Sequence, residues 1–340
     1  MASMRVTAVM VAWNRRELLG EALAALAAQT RPVDRLIVVD NASDDGSGEF
    51  AEQELASWGD RARLIRLAEN TGGAGGFAVG IAAALGGSAT DSGADADAAV
   101  DWIWVMDDDT VPTPDALAGA LAAHERYRAT GQDDLAVMGS RVIWTDGEDH
   151  PMNTPKPKIG ASRAERDRAA SVGAMEIRSI SFVSAFLRAD RVRELGLPIA
   201  DYFLWNDDFE YSARLLRGAR GLFVPGSVVL HKTKIRGSSD QDPGPRFFFE
   251  VRNKLWVFRH SRALTAGEKL MYIAATVRRW VRTYAKAQDR AVLRTGFRRG
   301  WREGWGRTPR PDLVVLDQAG VPADIRAQIE RSMRALGRKI

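Results

Sequence analysis

The sequence predicts an α/β fold of Rossmann-like kind: a mostly parallel central sheet flanked by helices, with a basic helical extension after it. Three observations predict this. Short apolar, β-branched runs alternate with segments of helical period through the first half of the 340 residues. Those runs are continuously apolar, as expected of parallel strands covered on both faces. Charge is also divided unevenly. The net charge is only +4, yet residues 252–310 hold 16 Lys/Arg against 3 Asp/Glu, leaving a net −9 on the rest.

Val6–Ala12 is the first strand, and residues 15–29 form the first helix, with Leu18, Leu19, Leu23 and Leu26 on one face. Residues 36–39 make a second strand that ends at Asp40, 48–58 a helix, and 63–67 a third strand. Residues 73–85 are a helix rich in alanine and glycine, and 102–105 a fourth strand that runs into three carboxylates. Between them, the small polar tract 86–98 reads as a surface loop. A proline start signal opens a helix over 112–128, followed by a strand at Leu135–Ile143. The polar tract 144–168, with its three prolines, reads as a long loop. Strand character returns over 177–187, a short helix follows at 209–217, and a strand at 222–230 leads to His231. From Phe247 the pattern is helical and basic, with a break at 308–311.

Composition narrows the chemistry. With no cysteine, disulfides, zinc-thiolate sites, iron–sulfur ligation and a thiol nucleophile are excluded. The N-terminal MASMRVTAVMVAW is interrupted by charge and does not read as a signal peptide. No window offers the roughly 18–20 uncharged apolar residues that span a bilayer. The expectation is a protein that is soluble or rests on a membrane.

Ligands of parallel sheets bind beyond the carboxyl ends of the strands, where Asp40, the 70–76 loop and Asp107–Asp109 all fall. Three adjacent carboxylates repel one another, and hard oxygen ligands suit Mg²⁺ or Mn²⁺ bridging a diphosphate. The same residues would also make a solvated acidic turn before a helix. Asn206-Asp207-Asp208-Phe209-Glu210-Tyr211 is a second acidic cluster, either complementing a helix dipole or supplying a general base. Trp205 before it is a core residue or a platform for a sugar face. His231 is structural or a third metal ligand. Asn70, Gly72 and Gly73 open a helix whose free amides suit phosphate. Asp40 caps a turn or accepts a hydrogen bond from a base or ribose. The first strand leads to Trp13-Asn14-Arg15 with no glycine, which argues against a dinucleotide-binding dehydrogenase.

Taken in order, VMVAWNR, VVDNASDDGS, ENTGGAGGF, WVMDDDT, WNDDFEYSARL and VVLHK, over roughly residues 4–260, resemble the inverting glycosyltransferases of GT-A fold, which use nucleotide-diphosphate sugars. The GGAGGF loop, the Asp triplet, the tryptophan before Asp-Asp and the later histidine are most similar to actinobacterial cell-wall galactofuranosyltransferases. Among these, the nearest are those that initiate arabinogalactan on a polyprenyl-diphosphate-linked rhamnosyl-GlcNAc. Rhamnosyltransferases that use dTDP-rhamnose share much of the pattern, and a non-catalytic nucleotide-sugar-binding scaffold is a further alternative.

The resemblance implies that Asp40 contacts uracil and that Trp13, Asn14 and Arg15 line the nucleotide pocket. It implies Asp107, Asp109 and His231 as ligands of a divalent ion, Mn²⁺ or Mg²⁺, with Asp108 near the ribose or donor sugar. Asn70, Gly72 and Gly73 would sit by the donor, and Trp205 by the acceptor. Asp208 would be the catalytic base and Asp207 would hold a sugar hydroxyl. Trp13 departs from the tyrosine that many relatives carry, but it keeps a flat aromatic face. The implied organisation is a catalytic domain over 1–246, with a nucleotide-sugar half to about 130 and an acceptor half over 131–246. Residues 247–340 would form a helical, basic region that associates with membrane and lipid-linked acceptor. Its tryptophans among arginines suit the cytoplasmic face of the plasma membrane, bound peripherally. A solvated subdomain with inward-packed tryptophans is the plainer reading. No nucleic-acid motif accompanies the charge, so no nucleic-acid partner is expected.

Overall fold

Strand β1 (Val6–Ala12) is buried along its whole length and sends alternate side chains into two cores. Val9 and Val11 enter one, and Ala8, Met10 and Ala12 the other. This two-sided burial explains the continuous apolar run. The structure is a computed structural model that describes residues 4–86, 100–233 and 242–335, so most of the 86–98 tract lies outside the described residues.

β1 lies between β2 (Arg35–Asp40) and β4 (Trp102–Asp107), parallel to both, and β3 (Ala62–Arg66) extends the parallel run. Beyond β4 the sheet becomes mixed. β8 (Ser184–Arg188) inserts antiparallel between β4 and β6 (Leu135–Ile143), and β9 (Arg220–His231) runs parallel to β6. β5 (Thr110–Pro112) closes the edge antiparallel to β9, and β7 (Met175–Glu176) also pairs with β9. The order of the nine-stranded sheet is β3-β2-β1-β4-β8-β6-β9-β5, with β7 off this path.

Helices α1 (Arg16–Ala27), α2 (Ser47–Leu55) and α4 (Ala116–Ala129) cover one face. Facing them across the sheet are α3 (Gly72–Leu85), α6 (Ala189–Leu195), α7 (Asp207–Leu215), α11 (Asp312–Val315) and α12 (Ala323–Ala335). Helix α3 sits close on β1, because a Cβ at Gly76 would lie 2.6 Å from Val11 Cγ1.

Several boundaries differ from those expected. The helix foreseen from Pro112 begins at Ala116, because Thr110–Pro112 is drawn into pairing with β9. The strand foreseen over 177–187 is confined to β8, with β7 a separate short piece. The 144–168 loop gives way to α5 (Arg163–Ser171), opened by a capping box between Ser162 and Glu165. The helix expected from Phe209 starts at Asp207, so both carboxylates stand in its first turn.

The C-terminal helices α8 (Phe247–His260), α9 (Ala266–Lys286) and α10 (Arg290–Gly306) are bound into the molecule. Gly296, Gly300 and Gly304 form one ridge of α10 that lies directly on α8, where a Cβ at Gly300 would meet Phe248 O at 2.7 Å. The expectation about tryptophans divides here: Trp256 is wholly buried, whereas Trp301 and Trp305 are exposed. Among the described residues no helix is long and apolar enough to cross a membrane.

Candidate active site

β4 ends at Asp107, and a turn through Asp108 and Asp109 leads straight into β5. In the β5–β9 register Thr110 stands opposite His231, so a three-residue strand carries the end of β9 onto the carboxylates. Asp107, Asp109 and His231 each present a ligand atom, all within 4.8 Å of one another. His231 Nδ1 lies 3.0 Å from Asn153 Oδ1, and the Asn153 amide is oriented by Nδ2 donating to Ser181 Oγ. His231 Nδ1 is therefore an N–H donor, and Nε2 faces Asp109 Oδ1 at 3.2 Å. That buried oxygen has no hydrogen-bond partner. A buried imidazole nitrogen and carboxylate oxygen this close need a cation between them, a proton or a metal ion, so this donor set fits a divalent ion.

The electrostatics agree. Burial, reinforced by Asp109, lifts the Asp107 carboxyl to about 7. Burial raises Asp108 to about 6 against the opposing charge of Arg15. For Asp109 the upward push of burial is overcome by nearby His231 and by the charge of Arg15, so it lies below the usual range. Arg15 Nη1 reaches Asp108 Oδ1 at 3.0 Å and Asp109 Oδ2 at 2.6 Å, and the Trp13 N–H donates to Asp108 Oδ2. Asp108 thus anchors the β1–α1 turn. Trp13 itself stands half exposed, and Asn14, at a left-handed φ of 52°, accepts from the Asp44 N–H.

At the end of β2, Asp40 is buried and accepts from the Ser43 N–H, with Arg66 Nε 3.8 Å away. Its neighbour Asn41 is buried too. It donates to Asn70 Oδ1 and Gly72 O and accepts from the Thr71 N–H. The Gly72 N–H donates to Asn70 Oδ1, and the Ala74 N–H to Phe203 O. Two amides at the start of α3 are thus engaged within the protein. The glycine at 72, with φ +70°, is required because a Cβ would collide with the Phe203 carbonyl. The loop after β3 is in this way pressed against the segment that precedes α7.

That segment is strained. Phe203, Trp205 and Asn206 all have φ near 62–66°, which persists only where surroundings hold it. Helix α8 does the holding. Asn253 Nδ2 donates to the carbonyls of Tyr202, Leu204 and Trp205, and Arg252 Nη2 to those of Asp201 and Tyr202. Glu250 accepts from Asn206 Nδ2 and Trp280 Nε1 and pairs with Arg279. Burial drives Asp207 well above the usual carboxylate range, helped by Asp208. Asp208 is also raised by burial, against the Phe209 N–H, the charge of Lys254 and a bond from Ser181. Burial in turn lowers Lys254 to about 8, its Nζ lying 4.1 Å from the centre of the Phe209 ring.

A single cavity of about 800 Å³ joins the two acidic clusters. Asp107 and His231 stand on one side, Trp205, Asp207 and Asp208 on another, and Arg279, Trp280 and Thr283 of α9 wall the far side. Residues 7–169 match the family described as glycosyl transferase family 2. Over 285 residues, 78% of this chain and 87% of the relative, the sequence is 30% identical to the galactofuranosyltransferase GlfT1 of Mycobacterium tuberculosis (strain ATCC 25618 / H37Rv). The chain belongs to glycosyl transferase family 2. It is also 31% identical over 221 residues to GlfT1 of Mycolicibacterium smegmatis (strain ATCC 700084 / mc(2)155), covering 62% of this chain and 65% of that one. S. aureus TarS 1–349 in complex with UDP superposes with a TM-score of 0.58 at 13% identity, over 98% of this chain and 90% of that one, which establishes the GT-A fold.

In this family 2 glycosyltransferase, Gly73, Asp107, Trp205, Asp207, Asp208 and His231 all border the shared cavity. Trp13, Asn14, Arg15, Asp40, Asn70, Gly72, Asp108 and Asp109 do not line it; they sit at the neighbouring strand ends, tied together by the bonds above. Sequence reasoning missed Asn153, Ser181, Asn41 and the α8 trio Glu250, Arg252 and Asn253. Asn153 comes from a tract that showed no pattern. The α8 residues looked like part of a charged surface, although Arg252, Asn253 and Lys254 are buried. Only the adjacency of a glutamate, an arginine and an asparagine inside an aromatic helix hinted at an internal network.

Proposed function

We propose that the protein is a metal-dependent inverting galactofuranosyltransferase, moving galactofuranose from UDP-galactofuranose to a polyprenyl-diphosphate-linked rhamnosyl-GlcNAc acceptor at the cytoplasmic face of a membrane. The observation that carries the reading is a cavity bordered both by Asp107 and His231, two of the three candidate metal ligands, and by the raised aspartate pair. Identity to galactofuranosyltransferases over most of the chain supports the sugar. The UDP complex of a structural neighbour supports a nucleotide-diphosphate donor.

Asp107, Asp109 and His231 would hold Mn²⁺ or Mg²⁺. A bound divalent ion would neutralise charge that develops on the departing diphosphate. Asp40 would receive the base, Trp13, Asn14 and Arg15 would flank the nucleotide, and Asn70, Gly72, Gly73 and Asp108 would shape the floor beneath the donor. On the acceptor side, Trp205 offers an apolar face and Asp207 accepts a bond from a sugar hydroxyl. Asp208 takes the proton of the attacking hydroxyl as its oxygen bonds to the anomeric carbon. UDP leaves from the opposite face, so configuration inverts. Burial keeps Asp208 raised from the ordinary carboxylate range, toward the pH at which a base is most effective.

Mass spectrometry of products from UDP-galactofuranose and a synthetic rhamnosyl-GlcNAc lipid tests the reading. One added hexose, dependent on divalent metal, is expected. Transfer from dTDP-rhamnose instead, or a larger melting shift with dTDP than with UDP, would reassign the donor.

A further inference from the structure

Helix α9 has an apolar face that stays exposed among the described residues. Its buried residues are Thr276 and Thr283, both polar, whereas Leu270, Val277 and Val281 are 73%, 50% and 64% exposed. At about 100° per residue, Leu270, Ile273, Val277 and Val281 fall in one sector about 80° wide. Arg278 and Arg282 edge that sector on one side. On the other come Trp280, Thr276 and Thr283, and Trp280 and Thr283 also wall the cavity.

Helix α10 continues the surface. Phe297, Trp301 and Trp305 form a row of touching rings that meets Trp280, with ring centres 5.7 Å apart, and both tryptophans are exposed. One position along, Arg294, Arg298 and Arg302 make a parallel exposed basic row. An amphipathic helix that turns threonines inward and valines outward is unfavourable in water unless something apolar covers it. A second copy of the chain is poorly suited, because it would set these arginine rows against each other. An anionic bilayer complements every layer: acyl chains for the stripe, the head-group level for the tryptophans and phosphates for the guanidinium groups.

We propose that α9 and α10 are the face on which the protein sits on an anionic lipid surface. The α9 stripe lies below the head groups, and the cleft opens beside it past Arg279 and Trp280. Entry of a lipid-linked acceptor by that route rests on the function proposed above; the docking face itself does not.

Co-sedimentation with vesicles of phosphatidylcholine, with and without phosphatidylglycerol, tests this. The wild type is expected to sediment with the anionic vesicles and to be released by salt. The triple variant Leu270→Ser/Val277→Ser/Val281→Ser is expected to bind at least about tenfold less. Arg278→Glu/Arg282→Glu is expected to lose the preference for phosphatidylglycerol. Both variants should keep the wild-type melting temperature and transfer to a water-soluble acceptor without lipid. Failure of the wild type to bind either vesicle, or equal binding by the serine variant, overturns the docking face. So does a dimer, seen by light scattering, that the serine variant dissolves. Absence of transfer to the soluble acceptor by the wild type, with vesicle binding intact, would instead overturn the catalytic reading.

Discussion

Two clusters of aspartates meet at one cavity, and their surroundings distribute charge within them differently. On the turn between β4 and β5, His231 and Arg15 hold Asp109 below the usual range beside Asp107 and Asp108, which burial raises. Asp207 and Asp208 stand in the first turn of α7, where burial outweighs the helix N-terminus and raises both. The first arrangement is suited to a cation and the second to a proton. Divergent environments for the same side chain are how one site divides binding from proton transfer. The clusters also approach each other, because Asn153 bonds both His231 and Ser181, and Ser181 acts on the Asp208 carboxyl.

The sharpest way to break this contrast is to neutralise one cluster at a time. Asp208→Asn is expected to lower turnover by roughly a thousandfold, while divalent-ion and UDP melting shifts stay as in the wild type. Near wild-type turnover would remove Asp208 from the proton-accepting role. Asp109→Asn should give the opposite profile, abolishing the melting shift from divalent ions and lowering turnover at least about a hundredfold. If both variants lost ion binding equally, the two clusters would be one site rather than two.

The pH dependence of stability sharpens the contrast further. Asp107 is raised from the usual 3.8 to about 7 by burial and by Asp109. In chelator-treated protein the folded state therefore keeps a proton that the unfolded chain has lost. Stability falls as pH rises from about 4 to about 7, since the folded state binds more protons across that window. A divalent ion requires the same carboxylate ionised and competes with its proton. The melting gain from added Mn²⁺ is thus expected to grow over the same interval. A gain independent of pH would place the ion on other groups.

The cluster proposed to hold the cation was far more legible in the sequence than its neighbour. Continuous apolar runs marked β1, β2 and β4, and the parallel rule located Asp40 and Asp107–Asp109 at their ends. His231 was visible as a residue, but its delivery depends on β5, a three-residue strand whose partner lies more than a hundred residues on. Local propensity read the same proline as a helix start. Non-local pairing of so short a piece leaves no periodic signal. Asp207 and Asp208 were legible as residues, whereas the support beneath them was not. Arg252, Asn253 and Lys254 belong to a segment whose charge suggests solvent, yet the three are buried beneath the strained 203–206 turn.

Asn253 gives the smallest and most discriminating test of that support. Its amide donates to three carbonyls of residues that sit before the α7 carboxylates, at 2.9, 2.9 and 2.7 Å. Asn253→Ala leaves those acceptors without that donor in a buried setting, at a cost of about 2 kcal/mol of folding stability. The left-handed conformations at Trp205 and Asn206 then lose the partner that over-determines them. Turnover is expected to fall about tenfold through misplacement of the acceptor side. The hydrogen bonds of Asn253 run to Arg252 and to the 202–205 segment rather than to the β4–β5 turn, so the UDP and divalent-ion melting shifts should be unchanged in size. A variant that lost stability yet kept wild-type turnover would show that α8 holds the fold but not the geometry of Asp208. A variant that lost the ion-dependent shift would show that the strain at 203–206 is felt across the cavity, through Ser181 and Asn153, by His231.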